Sequence, residues 1–206
     1  MDRPGVFPPG FFERYDDAPD ATFYRPPRLV THIDDAAIAT VGRLYADLGL
    51  TGDVLDLMSS WISHFTTPPA HLTVLGMNAA ELAHNPMATD RVVHDLNVEP
   101  TVPFADDAFD AVTCCVSVDY LTRPVEVFAD VARVLRPGGL FVCTFSNRCF
   151  PTKAVTGWLA NDDMGRLAIV RAYFEASGAY AEPTLAHCNP GAPGDPVYAA
   201  WAAAWS

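Results

Sequence analysis

The stretch between residues 103 and 148 constrains the fold of this chain more than any other. It contains an apolar strand-like run from Phe109 to Val116, a helical segment that begins at Pro124, a Pro-Gly-Gly turn at 137–139 and a second apolar run from Leu140 to Phe145. Proline favours the first turn of a helix, and glycine favours tight turns. The stretch therefore predicts two parallel strands joined by a crossover helix.

The same alternation of strands and helices extends over most of the chain. Short apolar runs predict strands, and segments with helical periodicity or capping residues predict helices. The last two strands flank a Pro/Gly-rich loop, which favours an antiparallel hairpin. We predict an α/β fold with further strands at 54–57, 72–75, 91–94, 180–187 and 197–203, and helices at 34–48, 59–67, 79–84 and 153–177, the last weakened near 161–163.

Composition limits the possible partners and the cellular location. The chain has 206 residues, half of them hydrophobic, and a formal net charge of −12. The acidic balance argues against nucleic acid or an anionic membrane as a partner, and no apolar run reaches the length of a membrane span. We expect a cytoplasmic protein with a Pro/aromatic-rich arm at 1–30 and a single domain at 31–206. The spacing of the five cysteines predicts no metal site.

Two segments carry a resemblance to a known family. Residues 103–110 (Pro-Phe-Ala-Asp-Asp-Ala-Phe-Asp) and 136–139 (Arg-Pro-Gly-Gly) resemble the class I S-adenosylmethionine-dependent methyltransferases, in particular their small-molecule "type 11"-like group. The resemblance implies a Rossmann-like seven-stranded sheet, mostly parallel, with helices on both faces. It also implies S-adenosyl-L-methionine as the cofactor and in-line SN2 transfer of a methyl group to a small-molecule acceptor. It leaves the acceptor and the oligomeric state open.

The first cofactor loop departs from the family pattern. The family has acid-x-Gly-x-Gly-x-Gly, whereas this chain has Asp56 followed by Met58, Ser60 and Ile62 at the glycine places. Glycine permits positive φ and close approach of the backbone to a ligand. One interpretation is a loop with a different path, in which Asp56, Met58, Ser59 and Ser60 still bind the cofactor. The alternative is a non-methylating or non-catalytic descendant of the fold.

The remaining cofactor positions follow from the same register. Met77 and Asn78 follow the second strand, where the family has an acid that binds the ribose hydroxyls, and Asn78 also fits a helix N-cap. Asp95 and Leu96 follow the third strand, where the family binds adenine; Asp95 also fits an ordinary loop acid. Cys115, at the end of the fourth strand, is a further cofactor-binding candidate.

The catalytic candidates are Asp119 and His64. Asp119 stands where the family often has a histidine that faces the acceptor, and it also fits a turn cap. His64 lies near the cofactor loop and also fits a structural role. A base is needed only if the acceptor must lose a proton.

The acceptor-binding candidates are Tyr120, Asn147, Arg148 and Tyr24. Arg148 and Lys153, the one lysine in the chain, suit a carboxylate or phosphate and equally suit solvent exposure. Two other enzyme classes fit less well. A dinucleotide oxidoreductase requires a Gly-x-Gly-x-x-Gly loop, which is absent, and Cys114 and Cys115 have no histidine at a suitable spacing for a cysteine hydrolase.

Overall fold

The predicted apolar runs lie side by side as strands of a single sheet. The computed structural model describes residues 6–205. Within them the sheet has seven strands in the order β3-β2-β1-β4-β5-β7-β6. The first five strands are parallel, and β7 is antiparallel to both β5 and β6. This confirms the predicted fold class. The strands are β1 (Asp53–Leu57), β2 (His71–Gly76), β3 (Asp90–Val93), β4 (Phe109–Cys115), β5 (Leu135–Phe145), β6 (Thr184–His187) and β7 (Tyr198–Ala203).

Helices cover both faces of the sheet. One hydrophobic cluster joins the sheet to α2 and α3, and the other joins it to α4 and α6. Asp34 and Asn78 accept backbone hydrogen bonds as the N-caps of α2 and α3, which satisfies otherwise unpaired N–H groups. The helices are α1 (Asp20–Phe23), α2 (Asp35–Asp47), α3 (Ala79–Ala83), α4 (Pro124–Val134), α5 (Thr156–Leu159) and α6 (Asp163–Ser177).

The predicted helix at 59–67 is wrong, because this segment is an irregular loop. Ser59 and Ser63 donate their hydroxyls to the buried carboxylate of Asp56, at 2.7 and 2.6 Å. Asn85 then donates to the Ser63 hydroxyl, at 2.9 Å. Serine hydroxyls that bond to nearby groups compete with helix formation, so these tertiary contacts determine the path of the loop.

Other boundaries shift in smaller ways. The predicted strand at 180–187 is paired only from Thr184 to His187, with an isolated bridge between Tyr180 and Ala204. Strand β5 begins before the Pro-Gly-Gly segment, but its pairing with β4 jumps from Leu135 to Leu140. The intervening residues bulge out of the ladder, where Gly138 has a φ of 79°. The break near 161–163 is confirmed, since it separates α5 from α6.

The N-terminal arm packs along the domain. Phe7, Phe11 and Phe12 pack against the cluster that contains α4 and α6. Beyond them, Arg14 pairs with Val155 in an isolated bridge. The division of the chain at residue 30 stays a prediction, and the first five residues of the predicted arm lie outside the described residues.

The described part of the chain adds two observations on membranes and metals. No helix within residues 6–205 has the length and apolar character needed to cross a membrane. Over the same range, His, Cys, Asp and Glu side chains form no cluster of three or more arranged to hold a metal ion.

All five cysteines are free thiols. Cys114 and Cys115 belong to the clusters on opposite faces of the sheet, as neighbouring strand residues must.

Candidate functional site

A cavity of about 330 Å³ opens at the carboxyl ends of the central parallel strands. Strand β1 lies between β2 and β4, so the strand order reverses there, which is where open α/β sheets bind ligands. Loops that follow β1, β2, β3, β4 and β5 all contribute to the wall. Ten of the predicted site residues line the cavity: Tyr24, Met58, Ser59, Ser60, Met77, Asn78, Asp95, Leu96, Tyr120 and Arg148.

The loop after β1 is folded onto its own leading acid. The buried Asp56 carboxylate accepts hydrogen bonds from Ser59, Ser63 and, at 2.8 Å, Thr113. Asp56 does not line the main cavity; it lies behind the loop, against a smaller one of about 50 Å³. Its role here is to hold the loop, and a direct contact with a cofactor stays a prediction.

Met58 occupies the first glycine place with a glycine-like backbone. Its φ is 54°, and Val116, on the neighbouring loop, has a φ of 45°. Both residues line the cavity. A positive φ is unusual for methionine and an outlier for β-branched valine, and such strain concentrates at functional sites. The turn that glycine would permit is therefore kept without glycine.

Asn78 is fully engaged by the chain itself. Its side-chain oxygen accepts from the backbone N–H groups of Ala80 and Glu81. Its amide donates to the carbonyls of Tyr24 and Arg25, at 2.8 and 3.1 Å. The N-cap role is thus confirmed, and residues 24–32, which we call the strap, lie directly over the predicted ribose position.

Asp95 keeps a free oxygen at the cavity. Its Oδ1 accepts from the backbone N–H groups of Asn97 and Val98, whereas its Oδ2 has no hydrogen-bond partner within residues 6–205. The buried Leu96 provides an apolar wall beside it. A carboxylate oxygen next to an apolar surface suits an amino group on a flat heterocycle.

Glu81 is a cavity residue that the sequence analysis missed. Its two carboxylate oxygens accept from the backbone N–H of Arg28, at 2.7 Å, and from the Ser60 hydroxyl, at 2.6 Å. Glu81 therefore ties the strap to the loop after β1. The Asn-x-x-Glu spacing from Asn78 resembles a capping box and was the one available signal. Arg28 and His32 also line the cavity, and no sequence motif marked them.

Asp119 is buried and does not line the main cavity. Its Oδ2 has no hydrogen-bond partner among the described residues. Burial raises the pKa of Asp119 to about 8, because an apolar environment disfavours the charged form. The carboxyl is therefore mostly protonated at pH 7, and the structure does not bring it to the acceptor side of the cavity as predicted.

The Asp119→Asn variant should become more stable relative to wild type as the pH rises. At pH values between the ordinary pKa of 3.8 and the folded-state pKa of about 8, Asp119 keeps its proton in the folded protein and releases it in the unfolded chain. The free energy of unfolding of the wild type therefore falls with rising pH, whereas the variant lacks this contribution. From pH 5 to pH 7 we expect a relative gain of about 2–3 kcal/mol, measured by urea unfolding.

Asp90→Asn, at an exposed carboxylate, is the matched control and should show no comparable pH-dependent gain. A stability difference between Asp119→Asn and wild type that is constant from pH 5 to pH 7 would contradict the assignment.

His64 and Cys115 lie behind the loop after β1. Both line the smaller cavity and neither lines the main one. The His64 Nδ1 has no partner among the described residues, and burial lowers the pKa of this imidazole. Burial also raises the pKa of the Cys115 thiol to about 12. The structure does not bring either residue to the main cavity.

Three of the four predicted acceptor-binding residues line the main cavity, and the fourth does not. Tyr24, Tyr120 and Arg148 line the cavity, but Asn147 is exposed and lines neither cavity. The prediction that Lys153 either binds an anion in the cavity or is exposed to solvent is wrong. Its ammonium is fully buried and donates to the carbonyls of Asp16 and Ala18.

Comparison with known proteins agrees with this geometry. A family model described as "Methyltransferase domain" matches residues 51–143, which span β1 to β5. This part of the chain is thus similar to methyltransferase domains. The match covers the loops after β1, β2, β3 and β4 and therefore most of the cavity wall.

The curated relatives share parts of this domain. A "Ubiquinone/menaquinone biosynthesis C-methyltransferase UbiE" of Paracoccus denitrificans is 35% identical over 91 residues, which are 41% of this chain and 36% of the relative. A "Demethylmenaquinone methyltransferase" of Mycobacterium sp. (strain KMS) is 47% identical over 55 residues, 25% of this chain and 24% of the relative. The chain thus spans about a third or less of the length of these relatives.

Solved structures share the fold. An S-adenosylmethionine-dependent methyltransferase from Mesorhizobium loti is 16% identical with a TM-score of 0.55, covering 80% of this chain and 97% of that one. Geranyl diphosphate C-methyltransferase from Streptomyces coelicolor A3(2), solved with S-adenosyl-L-homocysteine, is 14% identical with a TM-score of 0.55, covering 92% of this chain and 94% of that one. At these identities the likeness supports the fold alone.

Proposed function

We propose that this protein is an S-adenosylmethionine-dependent methyltransferase that acts on a small-molecule acceptor. The observation that carries the proposal is that the loops after β1, β2 and β3 face a single cavity at the reversal of strand order. These are the loops that the family resemblance assigns to the cofactor. The partial identity to methyltransferases named for ubiquinone, menaquinone and demethylmenaquinone supports a small organic acceptor.

The residues on the adenine side fit the cofactor. Asp95 presents a carboxylate oxygen without a protein partner among the described residues, and Leu96 presents an apolar surface. Gly76, at the end of β2, lets the Ser59 carbonyl of the loop after β1 approach the β2 backbone closely. When bound, S-adenosylmethionine supplies an electrophilic methyl group. The chain's own part is then to hold the acceptor in line with it.

On the ribose side, binding requires the first residues of the strap, Tyr24 and Arg25, to move. The amide of Asn78 is bonded to the Tyr24 and Arg25 carbonyls, so a ribose diol at Asn78 must replace these contacts. The cavity of about 330 Å³ is also at the small end of the usual range of about 300–1,000 Å³. Room for the ribose therefore comes from displacement of the Tyr24 and Arg25 carbonyls.

His32 is the group best placed to take a proton from an acceptor. It lies on the strap, lines the cavity, and its ring packs edge-on against Phe150 at 5.3 Å. A neutral imidazole suits proton transfer near pH 7. We propose His32 for this role in place of Asp119 and His64, which lie outside the main cavity.

The alternative is a descendant of the fold that does not methylate. The observation that favours it is that the polar side chains of the cofactor loops are bonded to one another: Ser59 to Asp56, Ser60 to Glu81 and Asn78 to the strap. A "[4+2]-Cyclase SpnF" has the same fold, with a TM-score of 0.58 and 13% identity.

Titration calorimetry with S-adenosylmethionine and S-adenosylhomocysteine tests the proposal. We expect micromolar binding to the wild type. Asp95→Asn should weaken it about 10-fold or more, because a hydrogen bond to a charged group contributes about 1.5–3 kcal/mol. Asp90→Asn is the control and should bind as the wild type does. Absence of binding at millimolar concentrations of both compounds would favour the non-methylating alternative.

A further inference from the structure

Arg28 is a cavity-lining cation without an acidic partner. Its guanidinium donates to the Phe23 carbonyl at 2.9 Å and makes a long contact of 3.5 Å with the Pro26 carbonyl. Within residues 6–205 it forms no ion pair, whereas Arg14 and Arg148 are each paired with an aspartate. A guanidinium carries five N–H donors, so most of those on Arg28 have no partner in the described chain.

Three aromatic rings pack around this guanidinium. Its central carbon lies 4.5 Å from the ring centroid of Phe23, 5.5 Å from that of Phe150 and 5.8 Å from that of Tyr24. Stacked arginine is weakly hydrated and pre-organised for a planar, two-pronged acceptor. Arg28 is only half-buried, so a ligand in the cavity can reach it.

The acids that face the cavity do not compete for Arg28. Asp20 is bound by Arg14, Asn97 and Lys153. Although burial opposes its ionisation, these hydrogen bonds hold the pKa of Asp20 below its ordinary value. The Glu81 carboxylate is engaged by the Arg28 backbone N–H and by Ser60, and Asp95 belongs to the cofactor side.

Arg148 adds a second, weaker positive group. Its Nε donates to Asp195 at 2.8 Å, and its terminal nitrogens have no partner among the described residues. Arg148 follows β5 and lines the same cavity as Arg28 and Phe150. The cavity therefore presents the unpaired positive charge of Arg28, the charge of Arg148, which is paired with Asp195, and aromatic walls.

We infer that Arg28, assisted by Arg148, binds a carboxylate on the acceptor, and that the acceptor is a planar acid with a single negative charge. The inference rests on the proposed function and specifies its substrate class. A planar guanidinium matches a carboxylate through two parallel hydrogen bonds. A doubly charged phosphate fits less well, because three acids face the cavity and only one unpaired guanidinium opposes them.

Benzoate and its neutral isostere benzamide are the probes. Binding is measured by calorimetry and ligand-observed NMR on the full chain in the presence of S-adenosylhomocysteine. We expect benzoate to bind at least 10-fold more tightly than benzamide. Arg28→Ala should remove this preference, and Arg28→Lys should restore only part of it. Arg43→Ala removes the same charge from an exposed position outside the cavity and should keep the preference.

A second pair of ligands separates the possible sources of the carboxylate. S-adenosylhomocysteine carries a carboxylate, and 5′-methylthioadenosine lacks the amino-acid portion. Arg28→Ala should leave the affinities for both unchanged. If it weakens S-adenosylhomocysteine alone and leaves benzoate unaffected, Arg28 binds the cofactor's carboxylate and the inference is overturned. Equal binding of benzoate and benzamide by the wild type would also overturn it.

Failure of the proposed function has a different outcome. In that case neither S-adenosylmethionine nor S-adenosylhomocysteine binds, while the preference for benzoate, measured without them, still depends on Arg28.

Discussion

Gly76→Ala should abolish tight binding of S-adenosylhomocysteine. A Cβ at this position would overlap the Ser59 carbonyl oxygen and press on the Leu82 side chain at 3.2 Å. The Ser59 N–H also donates to the Leu75 carbonyl at 2.7 Å, so the loop after β1 cannot retreat without breaking this bond. We expect at least a 10-fold loss of affinity by calorimetry and a loss of about 1–3 kcal/mol in the free energy of unfolding.

Gly191→Ala is the control for the glycine substitution. Gly191 has a φ of 73° with no atom near the added Cβ, and it lies in the loop before β7. That variant should lose about 1 kcal/mol of stability through backbone strain and bind S-adenosylhomocysteine normally. Wild-type affinity in Gly76→Ala would show that the loop after β1 does not contact the cofactor.

Lys153→Met should cause the largest loss of stability among single substitutions of charged residues. The Lys153 ammonium is fully buried and lies 3.1 Å from Asp20 and 3.2 Å from Asp16. Methionine keeps most of the volume but leaves carboxylates without their cation. Removing one partner of a buried ion pair costs about 3–5 kcal/mol, which urea unfolding would measure.

The same substitution should release the strap. Asp16 and Asp20 belong to the arm that leads into residues 24–32, so limited proteolysis should cut the variant in this region faster than the wild type. Arg171→Met removes an exposed pair with Glu175 and should cost less than about 1 kcal/mol. Equal stability losses in the two variants would show that the buried network does not hold the arm.

Most of the sheet could be predicted because its strands are short, apolar and separated by strong turn residues. Periodicity and Pro/Gly placement depend on neighbouring residues, so the element order followed from local sequence. The segment at 59–67 could not be predicted in this way. Its path depends on hydrogen bonds from Ser59 and Ser63 to Asp56 and from Asn85 to Ser63, and Asn85 is more than 20 residues away from Ser63.

The candidate site, too, could be predicted from the sequence only in part. The positions of Met58, Asn78 and Asp95 just after predicted strand ends correctly indicated that they lie at one cavity. The reason is that the carboxyl ends of parallel strands share an edge of the sheet. It did not show that Asp119 faces the interior or that Glu81 joins the strap to the loop after β1. Burial and partner choice depend on side-chain packing, which a linear pattern does not contain.

The sequence by itself determined the α/β order, the family resemblance and the loss of the glycine places after β1. Only the tertiary structure decided that Met58 keeps the positive φ, that Lys153 is buried under the arm and that Arg28 faces the cavity without an acid. The reason is physical. Strand and helix signals come from neighbours in the chain, whereas the arm acquires its contacts from residues far along the sequence, such as Lys153, which lies 137 positions from Asp16.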